Sequence, residues 1–238
     1  MRFNSIALKT KDQSGLKAYF NRVYNYMAGG LALSGIVAWL STQGAFLRAF
    51  YSVSPTGQVS YSLLGWIAVF SPFILIFMIS SALKQLNIPK AQTLFWGFSA
   101  LMGVSMGNIF FLFSGSTIFQ AFLVTSGMFL AMSLYGYTTQ KSLANWGSFL
   151  IMGLFGVILV SIVNLFFHSG ALAWATSIIA VVIFVGLTAY DTQRLKDIYN
   201  GADSVSLQQA KALSGALALY LDFINLFQLV LHFMNDRR

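Results

Sequence analysis

Long apolar runs interrupted by isolated charges set the pattern of this chain. No Asp, Glu, Lys or Arg occurs between Lys90 and Lys141, or between Lys141 and Asp191. A membrane-spanning helix needs about 20 mostly apolar residues, so each run is long enough for two spans and a turn. "SGST" at 114–117 and "HSG" at 168–170 supply the small, permissive residues of tight helical hairpins. The pattern predicts seven spanning helices, at 23–41, 62–83, 91–113, 117–137, 144–167, 171–193 and 207–233. Pro72 falls inside the second span, where it kinks the helix and frees a carbonyl. Membranes tolerate such a break when neighbours satisfy the freed group.

Composition turns this pattern into a class. The 238 residues are 57% hydrophobic and only 8% charged, with a mean hydropathy of +0.72. A soluble domain carries about 25% charged residues; this chain cannot cover a globule with polar side chains, and its solvent is lipid. The expectation is an all-α polytopic membrane protein of seven transmembrane helices, with the last helix central in the bundle. Residues 1–22, with Arg2, Lys9, Lys11, Lys17 and Arg22, read as a cytoplasmic N-terminal arm, and 23–238 as the seven-helix transmembrane domain. The arm lacks the compact apolar core and small-residue cleavage site of a signal peptide, and its "LKAYFNRVYNYM" reads as an interfacial amphipathic helix leading into the membrane.

Charge then sets orientation and removes rivals. The net charge of +8 comes from bases scattered singly between apolar runs, with no stripe that would track nucleic acid. With the N-terminus inside, eleven Lys and Arg fall on the cytoplasmic side and three (Arg48, Arg237, Arg238) outside. That bias predicts a cytoplasmic N-terminus and an external C-terminus. The absence of Cys excludes disulfides and thiolate chemistry. "GVSMG" at 103–107 matches a nucleophile elbow, but that motif needs a strand–turn–helix corner. Inside a span, its Gly103 and Gly107 read instead as a close-packing G-x-x-x-G face. His168 and His232 stand apart and make no metal site. Asn108 and Asn164 read as amides bonding between helices. The last helix has no mid-span Lys for a retinal Schiff base, and there is no nucleotide loop. No enzyme and no cofactor is expected; Ca²⁺ and H⁺ enter only as ions that are sensed or moved.

Chemistry concentrates in two acids among six Asp and no Glu. An ionisable group within a span costs about 3 kcal/mol on insertion scales, so each needs a reason. Asp191, in "GLTAYDTQRLKDIY", has Arg194 three residues on and on the same helix face. An ion pair at the headgroup level would make it a helix-end anchor. Asp222, in "LALYLDFINLF", has no Lys or Arg within ten positions. Ser214 with Gly215, Ala218, Asp222, Asn225, Gln228 and His232 recur at three- or four-residue steps, a small-and-polar stripe on an apolar helix. Such a stripe faces the bundle interior, either as a hydrogen-bonded packing seam or as a polar conduit through Gly215, Asn225 and Gln228. Counted from a turn near Asp203, the two acids miss each other by about 10 Å along the axis, a gap that tilt or an asymmetric loop can absorb. If they meet, two carboxylates in a low dielectric cannot both ionise cheaply and share one proton. Protonated, the pair bridges its helices; deprotonated, it repels and offers oxygen ligands to a hard cation such as Ca²⁺.

The same segments resemble the Bax inhibitor-1 (transmembrane Bax inhibitor motif) family in its bacterial branch. "LMGVSMGNIFFLF" (101–113), "SLYGYTTQKSL" (133–143) and "VNLFFHS" (163–169) are similar to that family's segments in the same order, and the likeness covers nearly the whole chain. The resemblance implies a seven-helix fold around the C-terminal helix. It implies a di-aspartyl pH sensor at Asp191 and Asp222, which would also hold Ca²⁺ transiently, and a pH-sensitive calcium leak in an inner membrane. Eukaryotic relatives act in calcium homeostasis and suppress cell death; some bacterial relatives bind a membrane-bound ATP-dependent protease. Family members carry an Arg in the second span that pairs with the di-aspartyl unit; here that span has no internal base, and Lys84 at its end is the nearest. Three functions stay open: a cation leak channel, a cation/proton antiporter, and a non-transporting regulator of another membrane protein. The bilayer is a partner in all three, nucleic acid in none.

Overall fold

The computed structural model describes residues 2–54 and 59–235. Among them, seven helices are long and apolar enough to cross a membrane: Gln13–Ser41, Leu63–Lys84, Ile88–Leu112, Gly115–Thr138, Ala144–Phe167, Gly170–Ile198 and Val205–Met234. The chain is thus an all-α polytopic membrane protein. In chain order the elements are α1 (Arg2–Ser41), α2 (Gly44–Phe50), β1 (Tyr51–Val53), β2 (Val59–Tyr61), α3 (Leu63–Lys84), α4 (Ile88–Met106), α5 (Ile109–Leu112), α6 (Gly115–Thr138), α7 (Ala144–Phe167), α8 (Gly170–Ile198) and α9 (Val205–Asn235). The last span is the most buried of the seven, 56% against 6% for α7. α7 turns Phe149, Phe155 and Phe166 outward, as a lipid-facing helix does.

Several boundaries differ from the sequence pattern. α1 runs unbroken through Arg22, so no backbone break marks the end of the N-terminal arm. The third span is interrupted at Gly107 and Asn108. The loop after α1, blank in the apolar pattern, contains α2 and a short antiparallel hairpin with Tyr51 opposite Tyr61. Arg237 and Arg238, used for orientation, lie outside the described residues.

The chain divides into two compact units. Unit 1 comprises residues 1–114 and 199–220; unit 2 comprises 115–198 and 221–238. In unit 1, α4 packs against both α1 and α3. The glycines of "GVSMG" explain the closeness: a Cβ on Gly103 would meet the Ser34 carbonyl, and one on Gly107 would meet the Ser41 and Tyr51 hydroxyls. Ser105, between them, is committed to structure. Pro72 cannot donate to Ala68, and that carbonyl instead receives the Ser71 hydroxyl at 2.9 Å and the Ser105 hydroxyl at 3.1 Å. In unit 2, α8 packs against α6 and α7. The α7–α8 turn is closed by His168 in the left-handed region (φ 49°) and by Asn164, whose Oδ1 accepts from Ser169 N at 3.0 Å. Asn164 therefore caps its own turn rather than bridging spanning helices.

Candidate carboxylate-pair site

The segment around Asp191 is fastened to its neighbours residue by residue, all within unit 2. Leu187 packs with Leu150 and Ile183, with Tyr190 against the cluster. Gly136 lets α6 approach the Ala189 backbone, and Gly147 lets α7 approach the Tyr190 ring. Thr192, fully buried, donates to the Thr188 carbonyl at 2.8 Å and meets Ser133 Oγ at 3.0 Å. Gln193 grips the α6–α7 turn with both ends of its amide. Its Oε1 accepts from Leu143 N at 2.6 Å and its Nε2 donates to the Lys141 carbonyl at 2.9 Å. Lys196 donates to the Tyr137 carbonyl at 3.0 Å and lies 5.9 Å over that ring. Asp191 is half-buried amid these contacts, on a helix that cannot shift there without disturbing the turn.

Asp222 comes from the second half of α9, residues 221–235, which belongs to the same unit. Phe223, the next residue, is edge-on to Phe122 and Phe129 of α6, with centroids 5.8 and 5.6 Å away, and this fixes the helix rotation. Asp222 is 5% exposed, and its carboxyl lies close enough to that of Asp191 for the two to act on each other. The axial mismatch counted from the turn does not keep the acids apart. The first half of α9 belongs to unit 1, and its second half, with Asp222, to unit 2.

One oxygen of the pair needs explaining. Asp222 Oδ2 is buried without a hydrogen-bond donor, although the Asp191 carboxyl is adjacent. Two ionised carboxylates present four acceptors and no donor. A single proton held on one carboxyl and donated to the other turns the contact into a hydrogen bond. Such a proton would satisfy an oxygen that is otherwise an orphaned buried polar atom.

The other residues singled out in sequence fall around this centre unevenly. Arg194 is exposed, and its charge acts on Asp191. Among the described residues, however, the ion pair formed is Lys211 Nζ to Asp203 Oδ2, at 2.5 Å. Arg194 is thus the base near the pair in a chain whose second span offers none. Gly215 is buried in unit 1 and does not share a unit with the pair. Asn225 and Gln228 are half-buried in unit 2. Asn225 Nδ2 donates to the Leu221 carbonyl at 2.8 Å, and His232 Nδ1 lies 2.7 Å from the Gln228 carbonyl, so this part of the stripe bonds along its own helix. A cavity of about 480 Å³ in unit 2 is lined by apolar side chains including Val124, Met128, Val182, Val230 and Phe233, and offers an ion no charged or polar side chain. No cluster of three metal-ligating side chains occurs among the described residues. A cation held by Asp191 and Asp222 would draw most of its six to eight oxygens from carbonyls, hydroxyls and water.

Sequence reasoning missed Thr192, Gln193 and Lys196, which do most of the fastening. The polar run after Asp191 signalled them, but it read as a helix entering water.

Seven apolar spans, with a half-buried and a buried carboxyl side by side on the last two, define a polytopic membrane protein. Comparison with known sequences supplies the family: the family described as inhibitor of apoptosis-promoting Bax1 matches residues 16–238, and the chain belongs to it. It is 40% identical over 228 residues to the inner membrane protein YbhL of Escherichia coli, covering 95% of this chain and 94% of the relative. It is also 39% identical over 231 residues to the uncharacterized protein RP147 of Rickettsia prowazekii, covering 97% and 94%. An uncharacterized membrane protein of Streptococcus pyogenes is 34% identical over 224 residues, covering 94% and 95%.

Proposed function

We propose that the protein is a pH-sensitive calcium leak channel gated by the Asp191–Asp222 pair. The observation that carries this reading is the pair itself: a half-buried Asp191 beside a buried Asp222 whose Oδ2 lacks a donor. A shared proton closes the contact between α8 and α9 within unit 2. Its loss leaves two like charges in a low dielectric, which repel and expose oxygens to a divalent cation. Gln193, two residues after Asp191, ties that stretch of α8 to the α6–α7 turn, so repulsion between the acids acts on the packing of Phe223 against α6. The membrane is a bacterial inner membrane, as the name of the Escherichia coli relative says of that protein, and the excess of Lys and Arg at one side puts the N-terminus in the cytoplasm.

The sign follows from the chemistry: flux is low where the pair is protonated and rises with pH as the proton leaves. Calcium entry into proteoliposomes across pH 5–9 tests this. Wild type should show the rise, and Asp191→Asn or Asp222→Asn, which cannot make two like charges, should show a flat profile. Wild-type pH dependence in both variants would remove the pair as the gate. A fixed proton count per calcium, measured in the same vesicles, would mark a cation/proton antiporter. A silent protein that still captures a membrane protease would mark the regulator.

A further inference from the structure

A second polar site lies in unit 1, on the face of α1 that meets α4. Ala18, Asn21, Arg22 and Asn25 recur at helical spacing, and with Tyr26 and Trp96 they line a pocket of about 480 Å³. Gln92 Nε2 donates to Tyr26 Oη at 2.5 Å, and Trp96 leans on Gly29, where a Cβ would strike the indole. Arg22 is half-buried and Asn21 and Asn25 are exposed. No side-chain partner for these three occurs among the described residues; the ion pair formed there is Lys211 with Asp203. Asp203, an acid of the same unit, is engaged by Lys211. Asp12 lies ten positions away along α1, about 15 Å at the helical rise.

The depth of the pocket can be read from the helices that form it. Arg22 is the last charge of α1 before the apolar run 23–41, and Lys90 is the last charge of α4 before its own charge-free run. The two helices run in the same direction, with Tyr26 beside Gln92 and Ser34 beside Ser99. Both pass from polar to apolar at the level of this pocket. Lys84, at the end of α3, adds a further base at that end of unit 1. A half-buried guanidinium flanked by a Trp and a Tyr at a membrane boundary fits the aromatic belt and the headgroup layer.

We infer that this pocket binds the phosphate headgroup of an anionic phospholipid. Arg22 presents a planar fork of donors matched to two phosphate oxygens. The Asn21 and Asn25 amides, on the same helix face, add neutral donors. Trp96, 37% exposed, and Ala18 give an apolar wall for the glycerol and upper acyl segment. That wall and the membrane-boundary depth commit the site to a lipid rather than to free phosphate.

Native mass spectrometry of the full chain, released from neutral detergent with phosphatidylglycerol or phosphatidylcholine added, reads this directly and does not depend on calcium flux. Phosphatidylglycerol should bind more tightly than phosphatidylcholine. Arg22→Gln should weaken phosphatidylglycerol about fivefold, the equivalent of about 1 kcal/mol per base at a membrane surface, with phosphatidylcholine unchanged. Arg22→Lys, which keeps the charge and loses the fork, should fall between, and Arg48→Gln, outside the pocket, should match wild type. Equal phosphatidylglycerol affinity in wild type, Arg22→Gln and Arg22→Lys would overturn the site. Full displacement of the lipid by millimolar inorganic phosphate would overturn the assignment to a lipid.

Discussion

Tyr220 and Asp222 are two positions apart on α9 and are both buried, yet their polar atoms meet opposite treatment. In unit 1, Tyr220 is wedged edge-on against Phe95 and Phe98, and its hydroxyl meets Ser34 Oγ at 2.6 Å. Ser34 in turn reaches the Ser99 carbonyl at 2.7 Å and the Gly30 carbonyl at 2.9 Å. With Tyr220 donating to Ser34 and Ser34 to Ser99, every atom of that chain is satisfied. In unit 2, Asp222 Oδ2 is left without a donor. A closed hydrogen-bond chain locks helices together under all ordinary conditions. On the proposed reading, a contact that lacks one proton is held or released by the solution. Burial alone therefore does not separate the two; Asp222 differs in being an ionisable group left without a donor.

The largest test of this contrast is truncation in the locked region. Tyr220→Ala removes a fully buried ring and should cost about 3–5 kcal/mol of stability, read as a lowered midpoint of denaturant unfolding in detergent. Asp222→Asn, two residues away, should leave that midpoint nearly unchanged while flattening the pH profile. Comparable destabilisation by both would erase the distinction between lock and switch.

A smaller effect is expected where the switch is fastened. Gln193→Ala leaves Leu143 N–H and the Lys141 carbonyl without their partner, at about 1–2 kcal/mol given their partial exposure. Because Asp191 would lose its fixed support, the midpoint of the pH–flux curve should also move, whereas a purely structural role would lower stability alone. Gln193→Glu, which keeps the acceptor for Leu143 N, should recover part of both. Tyr220→Phe, removing only the hydroxyl, should cost about 1 kcal/mol and leave the pH profile where it was.

The smallest effect concerns the hairpin outside the spans. Tyr51 and Tyr61 face each other with ring centroids 5.4 Å apart, and donate to the Val104 and Ser105 carbonyls at 3.0 and 2.7 Å. Burial, with Tyr51 adjacent, pushes the Tyr61 phenol up to about 12, and burial also raises Tyr51. The folded hairpin thus holds the neutral phenols. Their stabilisation is intact below about pH 10, the unfolded value, and that of Tyr61 is lost as pH rises through about 12. Phenolate absorbance should show these two tyrosines titrating late, and Tyr61→Phe should remove one of the late transitions.

The seven spans and their tight turns were legible because lipid imposes a length and composition rule on every crossing segment. Pro72 was legible as a carbonyl needing a partner, though not that Ser105 would help supply it. Gly103 and Gly107 were legible as a packing face. The hairpin of β1 and β2 escaped because three-residue strands leave no apolar period. The Asn164 cap escaped because a side-chain amide serves a turn or a neighbouring helix equally well in sequence. The grip of Gln193 escaped because its partners, at Lys141 and Leu143, are some fifty positions away.

By itself the sequence determined that the chain spans a membrane, how many times, and that Asp191 and Asp222 are acids needing a reason, because desolvation of a charge is a property of composition and position. Only the tertiary structure brings Asp222 beside Asp191, where Arg194 also acts, and distinguishes the hydrogen-bonded Tyr220 hydroxyl from the unpartnered Asp222 oxygen. Helical spacing gives direction around one axis. A hydrogen bond also requires the rotation and approach of a second helix, and on α9 these are fixed by Phe223 against Phe122 and Phe129.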